Sequence, residues 1–468
     1  MTKGESFNGN IDSMQRERMP LFKERNNITM TTGIERIAAK AQTNSSLIFT
    51  SLAHHITDEL LLEELNKLKT SRSSGIDNES VKMAKQRFSE WSPKMLKQVH
   101  QKGYQAPRIK RVFIPKPGKE EKRPLGIPTV TDTVLQRSVA RVVGAIFEQD
   151  FSKSSFGGRP GCSAHQAISK LVTSIHLGRT NYVLEADIKN FFGSLDHTWM
   201  MKFVEQRVKD RRILSLIRRW LKAGICSNGE LVRPFEGTPQ GGPVSVLLSN
   251  IFLHFVLDLW IEKVVRPRMT GEVYFVRYID DFVLCFQRKN DALRFYSALP
   301  KRLSKFGLQL EPSKTRLIEF GRYAYRDAKR LGKRPQTFYF LGFTFVGKRS
   351  GKGSFKIELR TEKKRNHRAH QKIKELVNNL RHAPISFQIN RINALLRGLY
   401  RYYGVLGNNQ SIRNFYRCAM VTWRKSLSRR SQKGKITWAK YEKILDYFKL
   451  AKPEIYLNYQ DVYKASML

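Results

Sequence analysis

Apolar residues recur at helical spacing in DELLLEELNKLK, residues 58–69, and Thr57 stands where a cap would stand. The loop SRSSGID follows at 71–77. Residues 110–128, KRVFIPKPGKEEKRPLGIP, read as two short strands around a basic Pro/Gly turn. Two further β-type runs carry acids. One covers 182–188; the other, 273–286, reads as a hairpin with Asp280 and Asp281 at its tip. Helical patterns lie between them, at about 198–222 and 244–264, and one more strand is expected at 338–346, FYFLGFTFV. Beyond it the pattern is mostly helical, clearest in INALLRGLYRYYG at 392–404. The first forty-odd residues read as a loose extension with short helical pieces.

Composition narrows the class. The chain has 468 residues, with 85 Lys+Arg against 40 Asp+Glu, a formal charge of +45 that favours a polyanionic partner. With 41% hydrophobic and 11% aromatic residues it can build several cores, so disorder does not explain the charge. Residues 376–441 hold 13 Lys+Arg and no carboxylate, and 321–382 hold 18 basic residues against 4 acidic. The cysteines at 162, 226, 285 and 418 form no CxxC pair, which argues against a zinc knuckle and a disulfide framework. The most apolar stretch, 244–260, is interrupted by Ser245, Ser249, Asn250, His254 and Asp258, and reads as a buried helix rather than a membrane span. No secretory h-region is visible, and a reducing, cytoplasmic setting is expected.

Aspartate is a poor strand residue, yet Asp280 and Asp281 interrupt two apolar strands, and Asp187 ends the run YVLEADI. Adjacent acids in a turn are ordinarily turn chemistry, and a lone strand-end acid is ordinarily a cap or a surface group. Their apolar flanks favour a second reading. A divalent cation would relieve the repulsion, because Mg²⁺ takes one or two carboxylates plus substrate phosphates. Spacing alone leaves the two readings open.

The segments RVFIPKPGKEEKRPLGIPTVTDTVLQ (111–136), SSFGGRPGCSAHQA (154–167), EADIKNFFGSLDH (185–197), GTPQGGPVSVLLSNIFLH (237–254), RYIDDFVL (277–284), FGLQLEPSKT (306–315), FLGF (340–343) and LLRGLYRYYG (395–404) occur in an order that resembles the group II intron-encoded reverse transcriptases and their free-standing relatives. The resemblance spans about residues 50–420 and implies an α/β + α fold. That fold is a right-hand polymerase with fingers, a palm of antiparallel sheet and helices, and a helical thumb. It divides the chain into an extension (1–75), fingers and palm (76–350), a basic maturase-like thumb (351–440) and a tail (441–468). By matching position, Asp187, Asp280 and Asp281 are the metal-binding acids for two Mg²⁺ ions, with Mn²⁺ as an alternative, and the Ile188 carbonyl completes a site. Phe192 falls at the steric gate that favours dNTPs. Lys116 and Arg123 fall where the triphosphate is met, and Gln240, Gly241 and Gly242 near the nascent base pair. Lys314 matches the lysine proposed to protonate the leaving pyrophosphate, a general-acid role. Phe340, Leu341 and Gly342 match the primer grip. Arg159 is structural or template-facing. Arg397, Tyr400, Arg401 and Tyr403 have spacings that share a helix face, where they would grip a template–primer duplex, with some of the tyrosines in the core.

Four positions depart from that pattern: Ile279 where intron-encoded members usually have Ala, Gly158 where an aromatic is usual, and Pro243 with Val246 after the PQGG segment. Free-standing members can carry Ile at this place. No paired-cysteine endonuclease follows the thumb, so target cleavage is not expected. The resemblance therefore implies a DNA polymerase that copies RNA, and DNA too, with template–primer duplexes and dNTPs as partners and no membrane. Its expected setting is the bacterial-type cytoplasm at the nucleoid, and its expected service is break repair from short annealed 3′ ends. The alternative is a maturase that folds an intron RNA for splicing; an array-associated or antiphage enzyme is a third reading. Oligomeric state is not legible.

Overall fold

The computed structural model describes residues 32–115, 122–227, 230–232, 242–351, 353–431 and 434–458. The chain opens with α1 (Thr32–Thr43) and α2 (Asp58–Asn66), the latter capped by Thr57, whose side chain accepts from the Leu60 N–H. The extension is not loose over this span. Ile34, Ile37 and Ala41 of α1 are buried in the main core, where α1 lies against the long helix α5 described below. Arg207, itself buried, fastens this packing by donating to the Asp150 carboxylate at 2.7 Å and to the Ser45 carbonyl at 2.6 Å.

Next come α3 (Val81–Gln86), α4 (Phe88–His100) and the expected strand pair, β1 (Ile109–Pro115) with β2 (Lys122–Ile127). Helix α5 (Val130–Asp150) is buried along most of its length, polar residues included. Its Asp132 is inside the core and is satisfied there by Tyr104, Trp220 and Gln136. Helix α6 (Ala164–Leu177) starts at a capping box formed by Ser163 and Gln166. It leads into β3 (Tyr182–Asp187), and α7 (His197–Val204) and α8 (Arg211–Leu221) follow. The single helical stretch expected at 198–222 is thus two helices. Asp210 separates them: it caps α8 through the Arg212 N–H and also accepts from the Leu52 and Ala53 N–H groups at 2.7 and 2.9 Å.

Short strands β4 (Ile225–Ser227) and β5 (Glu230–Val232) extend the first pair into a sheet of order β2-β1-β4-β5. Helix α9 (Pro243–Leu253) then runs on through π-helical turns at His254–Asp258 and Ile261–Val265. By length and composition Pro243–Arg268 could cross a membrane, but 78% of its apolar window is buried inside the protein, as its polar interruptions led us to expect.

The second sheet positions the site. It comprises β6 (Val273–Tyr278), β7 (Asp281–Phe286), β3 and β8 (Arg316–Glu319) in the antiparallel order β6-β7-β3-β8. Helix α10 (Lys289–Ser304) falls between β7 and β8. Both faces of this sheet are covered. Leu184, Phe282, Leu284 and Phe286 enter one core with α5 and α9, while Val183, Val283 and Cys285 enter a second core with α6 and the C-terminal helices. That is why the strands read as unbroken apolar runs rather than alternating ones.

Helix α11 (Arg322–Arg330) precedes a third, antiparallel sheet of order β11-β10-β9. The strand expected at 338–346 is a hairpin instead. Strand β9 (Thr337–Phe340) turns into β10 (Phe343–Arg349) through Leu341 and Gly342, with φ of 49° and 81°. Strand β11 (Phe355–Thr361) lies at the start of the basic region, ahead of α12 (Lys363–Asn379), α13 (Ile385–Tyr403), α14 (Asn409–Ser428) and α15 (Trp438–Tyr447). Trp423, Tyr400 and Tyr441 fill the centre of this helical body.

Candidate active site

The register of the central sheet brings the acids together. Asp187, the last residue of β3, pairs directly with Asp281, the first residue of β7. Asp280 lies beside them as the second residue of the two-residue turn joining β6 to β7. Like charges directly opposed across a ladder destabilise it. The cost appears on Asp281, whose carboxyl is pushed up to about 7 by burial first and then by the charges of Asp187, Asp280 and Glu185, against a hydrogen bond from the Leu341 N–H. Glu185 lies two residues before Asp187 on the same strand face. Arg316 of β8, its cross-strand partner, pairs with it at 2.6 Å.

Lys314 stands in a short 3₁₀ turn and donates from Nζ to Asp187 Oδ2 at 2.6 Å. Burial opposes the ammonium, but the hydrogen bond and charge of Asp187 outweigh it, so its pKa is raised, with Glu311 and Asp280 adding to the shift. Beyond β3, the Asp187 carbonyl and the Lys189 N–H are bonded to Glu311 and Gln309 on the β8 side. Strand alternation therefore turns the Ile188 peptide groups the other way, toward the Asp280–Asp281 turn. Phe192, half-buried, sits in the 3₁₀ turn Phe191–Gly193 a few residues past Asp187, edge-on to Phe191.

The acidic turn is strained and braced. Ile279 has φ +58°, a left-handed conformation that costs a β-branched residue about 1–2 kcal/mol. Beneath it lies Arg277, wholly buried. Its guanidinium donates to Asp258 at 2.8 and 2.6 Å, to Asn250 Oδ1 at 2.9 Å and to the Ile279 carbonyl at 3.0 Å. The π-helical turn at 254–258 lets Asn250, His254 and Asp258 all point inward from one helix. His254 lies 3.9 Å from Asp258, and its pKa is lowered to about 4 by burial and by the charge of Arg277.

Three of the departures from the family pattern, at 158, 246 and 279, meet here. A Cβ on Gly158, at φ +68°, would overlap Val246 Cγ1 and stand 3.8 Å from Ile279 Cδ1. A Cβ on Gly157 would come within 2.5 Å of the Ile279 backbone nitrogen. Branched side chains at 246 and 279 thus occupy the space that a side chain at 158 would need.

The Leu341–Gly342 turn reaches the same place. Both central residues have positive φ, the hallmark of a type I′ hairpin. The Leu341 N–H serves Asp281, and the Leu341 carbonyl accepts from the Tyr402 hydroxyl of α13 at 2.8 Å. A Cβ at Gly342 would strike Arg365 of α12 at 2.7 Å. The C-terminal helices are therefore bolted to the carboxylate cluster.

Several expected residues stand elsewhere. Lys116, Gln240 and Gly241 lie outside the described residues, and Arg123 is on β2 opposite Ile114. Gly242 caps α9, packed so closely that a Cβ would stand 2.7 Å from Gln136 Oε1. Arg159 does not face a template: it is 11% exposed and spends its donors on Glu148 and the Ser152 and Ser155 carbonyls, so the structural alternative holds. Phe340 is 1% exposed, a core residue, and only the turn after it reaches the acids. Tyr400 is likewise core, its hydroxyl donating to the Ala451 carbonyl, because a helix packed on a body buries one side of the shared face. Tyr403 is buried beside it, while Arg397 and Arg401 remain exposed. Arg277, Asp258, Glu185 and Tyr402 were not foreseen. The available signals were an arginine inside the apolar strand VYFVRY and an aspartate inside an apolar helix, two charges that burial obliges to find partners.

Residues 114–345 match the model of the reverse transcriptase (RNA-dependent DNA polymerase) family. The group II intron-encoded protein LtrA of Lactococcus lactis subsp. cremoris is 33% identical over 235 residues, covering 48% of this chain and 38% of LtrA. Protein YkfC of Escherichia coli is 28% identical over 354 residues, covering 69% of this chain and 90% of YkfC. An uncharacterized 91 kDa protein in the cob intron of Schizosaccharomyces pombe is 39% identical over 142 residues, covering 30% of this chain and 17% of that protein. The chain thus spans only about two fifths of LtrA. Residues 114–345, with the ordered motifs around them, are thus a group II intron-like reverse transcriptase domain.

Proposed function

We propose that the protein is a template-directed DNA polymerase that extends a primer 3′-hydroxyl with dNTPs on RNA templates, and on DNA templates too. The observation that carries the reading is the direct pairing of Asp187 with Asp281, with Asp280 and Lys314 at the same turn. These residues fit divalent metal ions. Burial and the neighbouring acids push the Asp281 carboxyl up to about 7, a repulsion that a cation would relieve, and Asp187 already attracts a cationic group in Lys314. Mg²⁺ takes one or two carboxylates and completes its shell with substrate phosphates, a donor set that these acids suit. Asp187, Asp280, Asp281 and the Ile188 carbonyl would hold two Mg²⁺ ions, or Mn²⁺, which supply charge neutralisation for the attacking and leaving oxygens.

The chain's own groups do the rest. The braced turn fixes two carboxylates where the primer end must meet the α-phosphorus. The 3′-hydroxyl gives its proton to water as its oxygen forms the new P–O bond and the bond to pyrophosphate breaks, and Lys314 hands its proton to the departing pyrophosphate. Phe192 crowds a ribose 2′-hydroxyl. Arg397 and Arg401 meet phosphates of the template–primer duplex. Primer extension by the purified chain tests this, with RNA and DNA templates, dNTPs or rNTPs, and Mg²⁺ or Mn²⁺, against an Asp280→Ala/Asp281→Ala variant. Template-dependent dNTP incorporation that vanishes in the variant is the expected result.

The cellular service we infer is synthesis from short annealed 3′ ends at double-strand breaks, carried out at the bacterial nucleoid in the cytoplasm. Ile279, a residue that free-standing members can carry at this place, supports a free-standing lineage. Unchanged break survival and unchanged junctions after gene deletion count against it. A second reading, an intron maturase, is favoured by relatives such as nuclear intron maturase 3, mitochondrial, of Arabidopsis thaliana, 24% identical over 186 residues. A flanking intron whose splicing depends on the protein, with no incorporation in any assay, would select it.

A further inference from the structure

The sheet that carries the acids has a second end. Phe320 N–H bonds to the Asn181 carbonyl just before β3 begins, and α11 starts two residues later. Six strand steps separate Asn181 from Asp187, so α11 begins about 20 Å from the carboxylates. Between α11 and the β10–β11 hairpin opens a cleft of about 440 Å³. Arg322, Arg326, Arg349, Tyr323, Tyr325 and Ser354 line it, and no carboxylate does.

This lining is built. Gly347 faces the floor, where a Cβ would stand 3.1 Å from the Phe355 ring and 3.5 Å from the Tyr325 ring. Its missing side chain lets those two rings close to 6.2 Å. Tyr323 is 50% exposed, with the Arg326 guanidinium 5.4 Å from its ring centre. Arg326 also meets Asp327 at 3.2 Å on the half-exposed helix surface. Among the described residues no acid pairs with Arg322 or Arg349. Three guanidiniums held around one cavity repel one another until an anion enters, and guanidinium geometry suits phosphate. An exposed tyrosine beside them offers a face for an unstacked base, which a duplex does not present.

We propose that this cleft binds one or two nucleotides of single-stranded nucleic acid, phosphates on the three arginines and a base on Tyr323. The inference rests on the polymerase reading and adds to it a second contact remote from the reacting end. The test uses the full chain, an Arg322→Ala/Arg326→Ala/Arg349→Ala variant and a Tyr323→Ala variant. Anisotropy titrations use oligo(U) and oligo(dT) twelve-mers and a short blunt template–primer duplex, over about 50–200 mM salt.

The triple variant is expected to raise Kd for the single strands about tenfold and to lower the log–log salt slope by about 1, since each of the one or two single-strand phosphate contacts contributes about 0.7. Tyr323→Ala raises Kd several-fold and leaves the slope, because stacking carries no counterion. A 4-thiouridine oligomer should cross-link to the Tyr323 peptide in the parent and not in the triple variant. Equal losses for oligo(U) and oligo(dT) support shared backbone and base chemistry; a loss for oligo(U) alone supports a 2′-hydroxyl contact as well. Duplex extension on the short substrate stays at the parent rate. Unchanged Kd and slope, with cross-links elsewhere, overturn the proposal. So does polyglutamate that displaces the single strand from the parent at equal charge concentration, which would assign the cleft to an acidic polypeptide. A parent chain that extends no primer breaks the polymerase reading instead, a separate outcome.

Discussion

Arg277 offers the sharpest test of how the acidic turn is held. The guanidinium is 0% exposed and makes four hydrogen bonds, two to Asp258, one to Asn250 and one to the Ile279 carbonyl. Arg277→Met leaves Asp258 as a buried charge without its partner, a loss of about 3–5 kcal/mol. That is a large part of the roughly 5–15 kcal/mol that holds an ordinary domain, so this variant alone would confuse activity with folding. The double variant Arg277→Met/Asp258→Leu separates them. Exchanging a buried pair for apolar groups of similar size is about neutral, so urea unfolding should return to within about 1 kcal/mol of the parent. The bond to the Ile279 carbonyl does not return. A charged hydrogen bond contributes about 1.5–3 kcal/mol, the same size as the 1–2 kcal/mol that a left-handed isoleucine costs. Without it the turn can relax, and a displacement near 1 Å at reacting groups costs about 10²-fold in rate. Primer extension by the double variant should therefore have kcat about 10- to 100-fold down at near-parental stability. A double variant that regains both stability and kcat would refute the reasoning, reducing Arg277 to a core filler.

Other outcomes follow from the same geometry. His254, held near 4 against about 6.5 unfolded, is neutral in the fold, so its stability contribution is whole above pH 6.5 and is lost as pH falls toward 4, by at most about 3 kcal/mol; His254→Gln should flatten that limb of urea unfolding. Lys314→Met removes the ammonium that competes for Asp187, so the Mg²⁺ concentration for half-maximal extension should fall while kcat falls too; an unchanged Mg²⁺ requirement would show that the 2.6 Å pair is broken in the working state. Gly157→Ala should reduce extension more than it reduces thermal stability, because the added carbon meets the backbone of Ile279, whereas Gly158→Ala should be partly rescued by Val246→Ala, which removes the overlapping Cγ1. Tyr402→Phe should cost about 1 kcal/mol in unfolding and slow extension, as it frees the Leu341 carbonyl.

The central sheet was legible because its strands are buried on both faces and so declare themselves as apolar runs. The acids were legible because nothing apolar explains two aspartates between VYFVRYI and FVLCF. FYFLGFTFV was misread for the same reason: a continuous apolar run hides a hairpin when the turn residues are Leu and Gly rather than Asn and Gly. A left-handed leucine is a tertiary fact, secured by Tyr402 sixty-one residues away, and no local window contains it. Tyr400 shows the converse limit. Spacing places Arg397, Tyr400 and Arg401 on one helix face, but only packing decides where the buried sector ends. Asp258 was noticed as an interruption and Arg277 passed over as part of the motif; their union required the sheet and the π-turned helix to be placed together.

The acidic turn touches three bodies at once, and that explains its construction. Arg277 ties the Ile279 carbonyl to the helix that follows Gly242. Gly157 presses the α5–α6 connection against its backbone. The Leu341 turn ties Asp281 to Tyr402 of α13. A strained residue persists only where its surroundings over-determine it. Here the surrounding contacts come from three separate elements: the helix after Gly242, the connection after α5, and the C-terminal helices. A shift in any of the three would reach the carboxylates through a hydrogen bond or a glycine contact. The Leu341–Tyr402 bond is thus a direct route by which a shift of the C-terminal helices would be felt at Asp281.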